Sequence, residues 1–478
     1  MASEQSFLGL DNQRVLVGLL RFADVFIVGT TGIVSYWIRH GTDQVPEEYL
    51  VGIAIGALLT ANYMQIARLY EFSGFRRFAA QAGTLTACWA AVMVTLMVIA
   101  YFGKVSEEFS RVWVVSWFIA SYLALATLRA VIALVLERLT RTGRLTFNIA
   151  VVGAGEYGQR LIEHLDRQTG RGVKIIGVFD DRKTRIPDTV AGYPVIGTVN
   201  DLLLFARSHD IDQVAIALPW SAEEHLTDIF RKLRTLAVDV KLCPGAIAFE
   251  LPNLGYNDIA GVPMLTMIEP PLTGWNTLAK GIEDRVLALL LLILFSPVML
   301  AAAVGIRLSG PGPVFFRQRR YGFNSNEITV LKFRTMHWNS PQTDDAEGKE
   351  ETTPQAERDD PRITAIGRIL RRASLDELPQ LVNVLRGEMS LVGPRPHAVA
   401  HNLQYAPIID EYLGRHRVKP GITGWAQVNG LRGETRTPEL MRRRVQYDLY
   451  YIEHWSLLFD LRILLLTPFV GFVHENAY

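Results

Sequence analysis

The sequence predicts a membrane protein of mixed architecture. Its parts are an N-terminal four-helix transmembrane bundle, a doubly wound α/β domain and a mainly α-helical C-terminal domain with a re-entrant membrane helix and interfacial helices. Three observations predict it. Four long apolar stretches fill the first third. Short β-branched runs alternate with helical segments in the middle. A last apolar segment, interrupted by proline, leads into a region dense in arginine, proline and glycine. The boundaries fall at residues 1–144, 145–270 and 271–478.

The apolar stretches are Val15–Trp37, Leu50–Ile66, Thr84–Phe102 and Val112–Leu136, each near the roughly 20 residues that cross a bilayer as a helix. Arg68, Arg76 and Arg77 lie in one connection, and Arg138, Arg141 and Arg144 follow the fourth stretch. The other two connections mix bases with acids. The positive-inside rule then puts both ends of this unit in the cytoplasm, with Arg129 near the cytoplasmic end of its helix. Arg21 and Asp24, three residues apart on one helical face, are expected to neutralise each other near the membrane edge.

Composition narrows the function classes. Of 478 residues 49% are hydrophobic, and 49 basic against 48 acidic residues leave a net charge of +1, so no bulk field favours nucleic acid. Two cysteines, Cys88 and Cys243, make neither a disulfide framework nor a zinc site. The polar start, MASEQSFLGLDNQR, has no basic-then-apolar pattern of a cleavable signal peptide.

In the middle third, Phe147–Val152 reads as a strand, and Gly153-Ala154-Gly155-Glu156-Tyr157-Gly158 opens a helix that runs to about Asp166. Further strands are Val173–Phe179, Gln213–Leu218 and Val238–Leu242, with Ser221–Leu236 as a helix. Strand–helix alternation of this kind builds a parallel, Rossmann-like sheet. Gly153, Gly155 and Gly158 form a G-x-G-x-x-G loop in the context where it cradles a pyrophosphate, with Asp180 or Asp181 available to a ribose hydroxyl. The same glycines also serve packing alone. No Tyr-x-x-x-Lys acid/base pair occurs in the chain, which weighs against an NAD-dependent nucleotide-sugar enzyme.

Val286–Ile306 is long enough to span a membrane, yet two features oppose a crossing. Ser296-Pro297 lies mid-segment, where proline removes a helix hydrogen bond, and bases flank both ends. A helix that enters one leaflet and returns satisfies both, with the serine hydroxyl taking up part of the freed backbone bonding. The C-terminal Trp455–Val473, apolar but holding Asp460 and Arg462, reads as a helix in the membrane interface or packed on its own domain. The acidic stretch Asn339–Arg358 reads as a solvated loop.

The chemistry concentrates around Arg371-Arg372-Ala373-Ser374-Leu375-Asp376-Glu377-Leu378-Pro379. Leu378, Leu381, Val382 and Leu385 define an amphipathic helix closing at Gly387. Ser374 and Glu377 match a capping box, a structural use of the acid. Lys332, Arg334, Arg372 and Arg395 are the cations that would neutralise a diphosphate. Beside them, one carboxylate holding Mg2+ and its neighbour acting as nucleophile would suffice for phosphoryl chemistry.

KFRTM at Lys332–Met336, SLDELPQLVNVLRG at Ser374–Gly387, MSLVGPRP at Met389–Pro396 and VKPGITGWAQVNG at Val418–Gly430 together resemble the polyprenyl-phosphate hexose-1-phosphate transferases. These are the monotopic bacterial phosphoglycosyl transferases. With the N-terminal helices and the α/β middle, the resemblance is to the long form and covers essentially the whole chain. It comes nearest to the undecaprenyl-phosphate glucose phosphotransferases of exopolysaccharide synthesis.

The resemblance implies that Asp376 attacks the sugar-proximal phosphate of a UDP-hexose, with glucose favoured over galactose, and expels UMP. It implies Glu377 on Mg2+, Arg395 of Pro394-Arg395-Pro396 on phosphate, Ser296-Pro297 at the re-entrant break, and Lys419 and Gln427 near the nucleotide or lipid phosphate. Undecaprenyl phosphate then takes the sugar phosphate at the cytoplasmic face of a bacterial inner membrane, among membrane lipids. A homodimer is one open option for assembly. A membrane-tethered NAD-dependent enzyme and a non-enzymatic assembly scaffold are the competing classes.

Overall fold

A computed structural model describes residues 10–70, 78–141, 147–167, 173–182, 187–244, 258–259, 262–338, 360–397, 402, 404–406, 408–409, 411–431 and 437–473. Arg76, Arg77, Arg144 and the acidic stretch Asn339–Arg358 lie outside them. The chain divides into two compact units, Met1–Thr146 and Phe147–Tyr478.

The first unit is four helices: α1 (Leu10–His40), α2 (Glu47–Ile66), α3 (Phe78–Phe102) and α4 (Arg111–Arg141). All four contain runs long and apolar enough to cross a membrane. They pack around aromatic side chains, with Trp113 and Trp117 from α4 donating to the carbonyls of Gly32 and Val28 on α1. The Arg21–Asp24 expectation is corrected here. Asp24 instead pairs across the unit with Arg129 of α4, Oδ2 to Nη2 at 2.6 Å, and accepts the Tyr70 hydroxyl at 2.9 Å. Arg21 stacks over the Tyr70 ring. A fully buried carboxylate finds a stronger, drier partner across the bundle than along its own helix.

The second unit opens with β1 (Phe147–Val152), α5 (Glu156–Arg167), β2 (Val173–Phe179), β3 (Thr189–Val190), β4 (Tyr193–Gly197), α6 (Val199–Ser208), β5 (Gln213–Ile216), α7 (Glu223–Leu233) and β6 (Asp239–Leu242). A short hairpin, β7 and β8 (Asp258–Ile259 and Val262–Pro263), precedes β9 (Leu265–Ile268). The seven-stranded sheet has the order β3-β4-β2-β1-β5-β6-β9, parallel except at its two edges. Its central strands β1 and β5 are buried on both faces, as crossover helices require.

The glycine loop is built as the sequence predicts, and its packing is tight. Gly153 has a φ of 116°, and a side chain at Gly158 would meet the Gly153 carbonyl at 1.9 Å. The carboxylate of Asp180 is engaged within the fold: it accepts the Ala154 amide at 2.6 Å and grips the Arg182 guanidinium.

The remainder hangs on one long helix, α8 (Trp275–Leu308). It runs unbroken through Ser296-Pro297. Without an amide hydrogen, Pro297 leaves the Ile293 carbonyl unsatisfied, and the Ser296 hydroxyl donates to that carbonyl at 2.8 Å. The middle of α8 exposes Leu290, Ile293, Leu294 and Leu300, while both ends pack on the same domain. At its start, Lys280 bridges Asp284 (3.0 Å) and Asp460 (2.6 Å). At its end, Ala302 and Ile306 join Phe333 and Leu370.

Around α8 lie the hairpin β10 (Phe315–Tyr321) and β11 (Glu327–Phe333), α9 (Ala365–Arg372), α10 (Gln380–Leu385), and a parallel pair β12 (Ser390–Val392) and β13 (Gly421–Thr423). Then follow the one-turn α11 (Trp425–Val428), α12 (Pro438–Glu453) and α13 (Leu457–Val473). α13 packs on the domain through Asp460 and Ile463, which are buried, and leaves Leu458, Leu465 and Phe469 exposed.

Candidate active site

Two breaks in helical structure present the acidic pair. Thr364 caps α9, its hydroxyl accepting the Gly367 amide at 2.9 Å, a contact of about 1 kcal/mol. Two residues past that helix, Ser374 turns left-handed, with φ 56°. A single 3-10 turn, Leu375–Glu377, carries both acids, and α10 begins only after Pro379. The expected capping box is therefore not formed. Ser374 makes no side-chain cap, and the Glu377 carboxylate is taken by charged donors. Charge-assisted bonds outweigh a neutral cap.

Glu377 is 6% exposed. Its Oε1 accepts Lys332 Nζ at 2.9 Å and Arg395 Nη2 at 2.6 Å. Both donors are held from behind. Asn383, fully buried on α10, clamps strand β11: its Oδ1 accepts the Leu331 amide and its Nδ2 donates to the Thr329 carbonyl. That bond pair fixes the strand carrying Lys332 to the helix that follows the acids.

Arg395 leaves the end of β12, where the MSLVGPRP and KPGITG motifs come together as the β12–β13 pair. A side chain on Gly421 would meet the Gly393 amide nitrogen at 2.1 Å, so glycine is needed for this close approach. Arg415, buried, donates to the Arg395 carbonyl at 2.9 Å while holding Asp448. Asp284 of α8 accepts both the Ser390 hydroxyl and the Leu391 amide at 2.9 Å, tying β12 to the apolar helix.

Asp376 differs from its neighbour. Among the described residues none donates a hydrogen bond to it. Burial and the adjacent Glu377 charge push its carboxyl above the ordinary carboxylate value, against the pull of Lys332, Arg371 and Arg395. Arg371 is one cation that sequence reasoning passed over in favour of Arg372. Its Nε is fixed by the Thr335 hydroxyl at 2.9 Å, and Arg372 is exposed.

Arg320 is another. It lies beside Arg395 and Glu377, with Nη1 on the Pro396 carbonyl at 2.9 Å and Nε and Nη2 on Gln318. Strand alternation carried the signal, since Arg320 shares a face with Lys332 across the β10–β11 register.

Other predicted residues have different surroundings. Arg334 gives its guanidinium to the carbonyls of Ile306, Gly310 and Pro311, closing the end of α8. Those bonds leave it a structural cation. Lys419 Nζ and Arg285 both lie against Gly387. Gln427 donates to the Ile422 carbonyl at 3.2 Å within its own loop. Pro394, Arg395 and Pro396 line a cleft with Tyr321, Gly322 and His416. Among the described residues no cluster of three or more His, Cys, Asp or Glu side chains could hold a metal ion.

The domain on α8 matches the bacterial sugar transferase family over residues 275–474, and residues 65–244 match a family described as a CoA-binding domain. The chain is thus a membrane enzyme of the sugar-transferase class. Relatives along nearly its whole length narrow the class. It is 36% identical to the UDP-glucose:undecaprenyl-phosphate glucose-1-phosphate transferase of Xanthomonas campestris pv. campestris, over 96% of this chain and 94% of that one. Proteins of the same name from Escherichia coli (strain K12) and Klebsiella pneumoniae are 39% and 34% identical. The first covers 84% of each chain, the second 100% of this chain and 99% of its own. The chain belongs to the polyprenyl-phosphate hexose-1-phosphate transferases, a family of phosphoglycosyl transferases.

Proposed function

We propose that this chain transfers glucose-1-phosphate from UDP-glucose to undecaprenyl phosphate in two steps through a covalent intermediate on Asp376. The observation that carries the reading is the asymmetry of the acidic pair: Glu377 is locked by Lys332 and Arg395, and Asp376 is left without a hydrogen bond from any described residue. A carboxylate free of donors keeps its lone pairs for attack.

In the first step an Asp376 carboxylate oxygen bonds to the sugar-proximal phosphorus, and the bond from that phosphorus to the bridging oxygen breaks. The bridging oxygen leaves on UMP with the electron pair. In the second step an oxygen of the lipid phosphate bonds to the same phosphorus and Asp376 departs as carboxylate. Lys332 and Arg395 shift from Glu377 toward the phosphate oxygens as negative charge arrives. Arg371 holds charge opposite Asp376. Lys419 and Arg285, beside the start of the apolar run of α8, suit the lipid phosphate. Arg334, committed to the end of α8, drops out of the phosphate-binding set.

Magnesium suits this donor set, because it takes one or two carboxylates and completes its shell with water and substrate phosphates. Glu377, with Asp376 beside it, would hold the ion, which supplies charge neutralisation on the diphosphate.

The reading puts the enzyme in a bacterial inner membrane with this domain on the cytoplasmic side. Packing of both ends of α8 on one domain supports a helix that enters and leaves by the same face. A straight run from Lys280 to Ile306 would separate those ends by about 39 Å.

The test is UMP release from UDP-glucose with undecaprenyl phosphate and Mg2+, comparing wild type with Asp376→Asn. The substitution is expected to abolish release, and undiminished release would overturn the nucleophile.

A further inference from the structure

We propose that Arg320 binds the phosphate of the departing nucleotide, so that Lys332, Arg395 and Arg320 form a track along which the diphosphate lies. The inference deepens the proposed function and rests on its placement of the reacting phosphorus at Asp376.

The track follows from strand geometry. Lys332 is paired with Phe316 in the β10–β11 register, and Arg320 lies four residues further along β10. Side chains two and four residues apart share a face, so Phe316, Gln318 and Arg320 look the same way as Lys332. Their Cα positions are separated by about 13 Å along the strand. Arg395 bridges the interval: its guanidinium reaches the carboxylate that Lys332 also holds, and the next residue's carbonyl accepts Arg320 Nη1. The order is therefore Lys332, Arg395, Arg320, with the acidic pair at the Lys332 end. Past Arg320 a small pocket lined by Tyr321, Gly322, Pro394 and His416 lies on the side toward which the nucleoside end of the track would point.

Charge supports the same assignment. Lys332, Arg371, Arg395 and Arg320 surround Asp376 and Glu377, while Asp360, also near Arg371, is paired with Arg362, which leaves a surplus of positive charge in a partly buried site. Among the described residues Arg320 makes no ion pair, and its bonds go to neutral oxygens of Pro396 and Gln318. Two of its five N–H groups remain to donate. Loss of water, with crowding by Arg395, pushes its guanidinium down to about 10, so it gains from an incoming anion. A nucleoside diphosphate sugar supplies roughly two negative charges. When the bridging oxygen departs with its electron pair, the new charge falls on the nucleotide's phosphate, where Arg320 lies.

The test measures UMP binding directly, by equilibrium dialysis of radiolabelled UMP against the full chain in detergent carrying Asp376→Asn. In that background Arg320→Gln is expected to weaken UMP binding about ten- to hundredfold, the range of a charged hydrogen bond. Arg320→Lys should recover part of the loss. Arg319→Gln, on the opposite exposed face of the strand, should leave binding unchanged.

Binding by Arg320→Gln within about twofold of the parent would overturn the proposal. So would equal losses in the Gln and Lys variants, the pattern of an arginine that only holds Pro396 and Gln318. No chemistry is needed for this readout, so UMP release surviving Asp376→Asn would refute the nucleophile and leave the Arg320 result standing.

Discussion

Arg395 Nη2 stands 2.6 Å from Glu377 Oε1, and that contact divides two adjacent acids into different chemical species. Glu377 is compensated by two cations, while Asp376 carries a charge that its surroundings disfavour. Two consequences can be measured at this pair, and two further predictions concern the N-terminal unit and the topology.

The acid limb of the rate should lie above the ordinary aspartate value. Asp376 attacks only when ionised, and its carboxyl is held above 3.8 by burial and by Glu377. The pH profile of kcat/KM for UMP release is expected to drop as pH falls through that raised value. Stability runs the other way. A raised folded value means that ionisation opposes folding, a penalty absent below about 3.8 and complete above the folded value. Asp376→Asn should therefore melt higher than wild type at neutral pH, and the gap should close as pH approaches 3.8.

Glu377→Gln should lower kcat for UMP release about 10²-fold or more, since Lys332 and Arg395 lose their common anchor. Titration of Mg2+ should show a weaker apparent affinity in this variant. An unchanged Mg2+ dependence would remove Glu377 from the ion's ligands.

In the N-terminal unit, the Asp24–Arg129 pair is buried and tightly made. Removing one partner, as in Asp24→Leu or Arg129→Leu, is expected to cost about 3–5 kcal/mol, because the other charge is stranded. The double Leu variant should regain most of that loss. Thermal melts of the four proteins in one detergent give the coupling.

Topology is testable at Ser325, in the β10–β11 turn. Both native cysteines are buried, so Ser325→Cys gives a clean label. In intact cells it should react only with membrane-permeant thiol reagents. Labelling by an impermeant reagent would mean that α8 crosses.

Much of this was legible in the sequence, for physical reasons that differ by region. Four apolar runs and a strand–helix alternation are periodic signals, and α1–α4 and β1, β2, β5 and β6 appear where those signals lie. The acids and Arg395 were legible as motifs. What escaped was whatever depends on contact between distant residues. Arg21 and Asp24 share a helical face, but only the fold shows Arg129 reaching Asp24 from another helix. Ser374 and Glu377 have capping-box spacing, but a left-handed turn and two cations override a local preference. Arg334 looked like a phosphate ligand because it stands two residues from Lys332. It instead follows the last residue of β11, where the strand has ended, and its guanidinium turns onto the carbonyls that end α8. Asn383 gave no signal at all, since a polar residue on an amphipathic helix reads as surface until the strand it clamps is seen.

The central claim is that Asp376 forms a bond to the sugar phosphate, and mass spectrometry of the trapped enzyme tests it most directly. The full chain is mixed with UDP-glucose and Mg2+ without lipid acceptor, quenched in acid and digested. A hexose-phosphate adduct on the peptide containing Asp376, absent from Asp376→Asn and discharged by undecaprenyl phosphate, is the predicted result. An adduct on another residue, or turnover by Asp376→Asn at the wild-type rate, would contradict it.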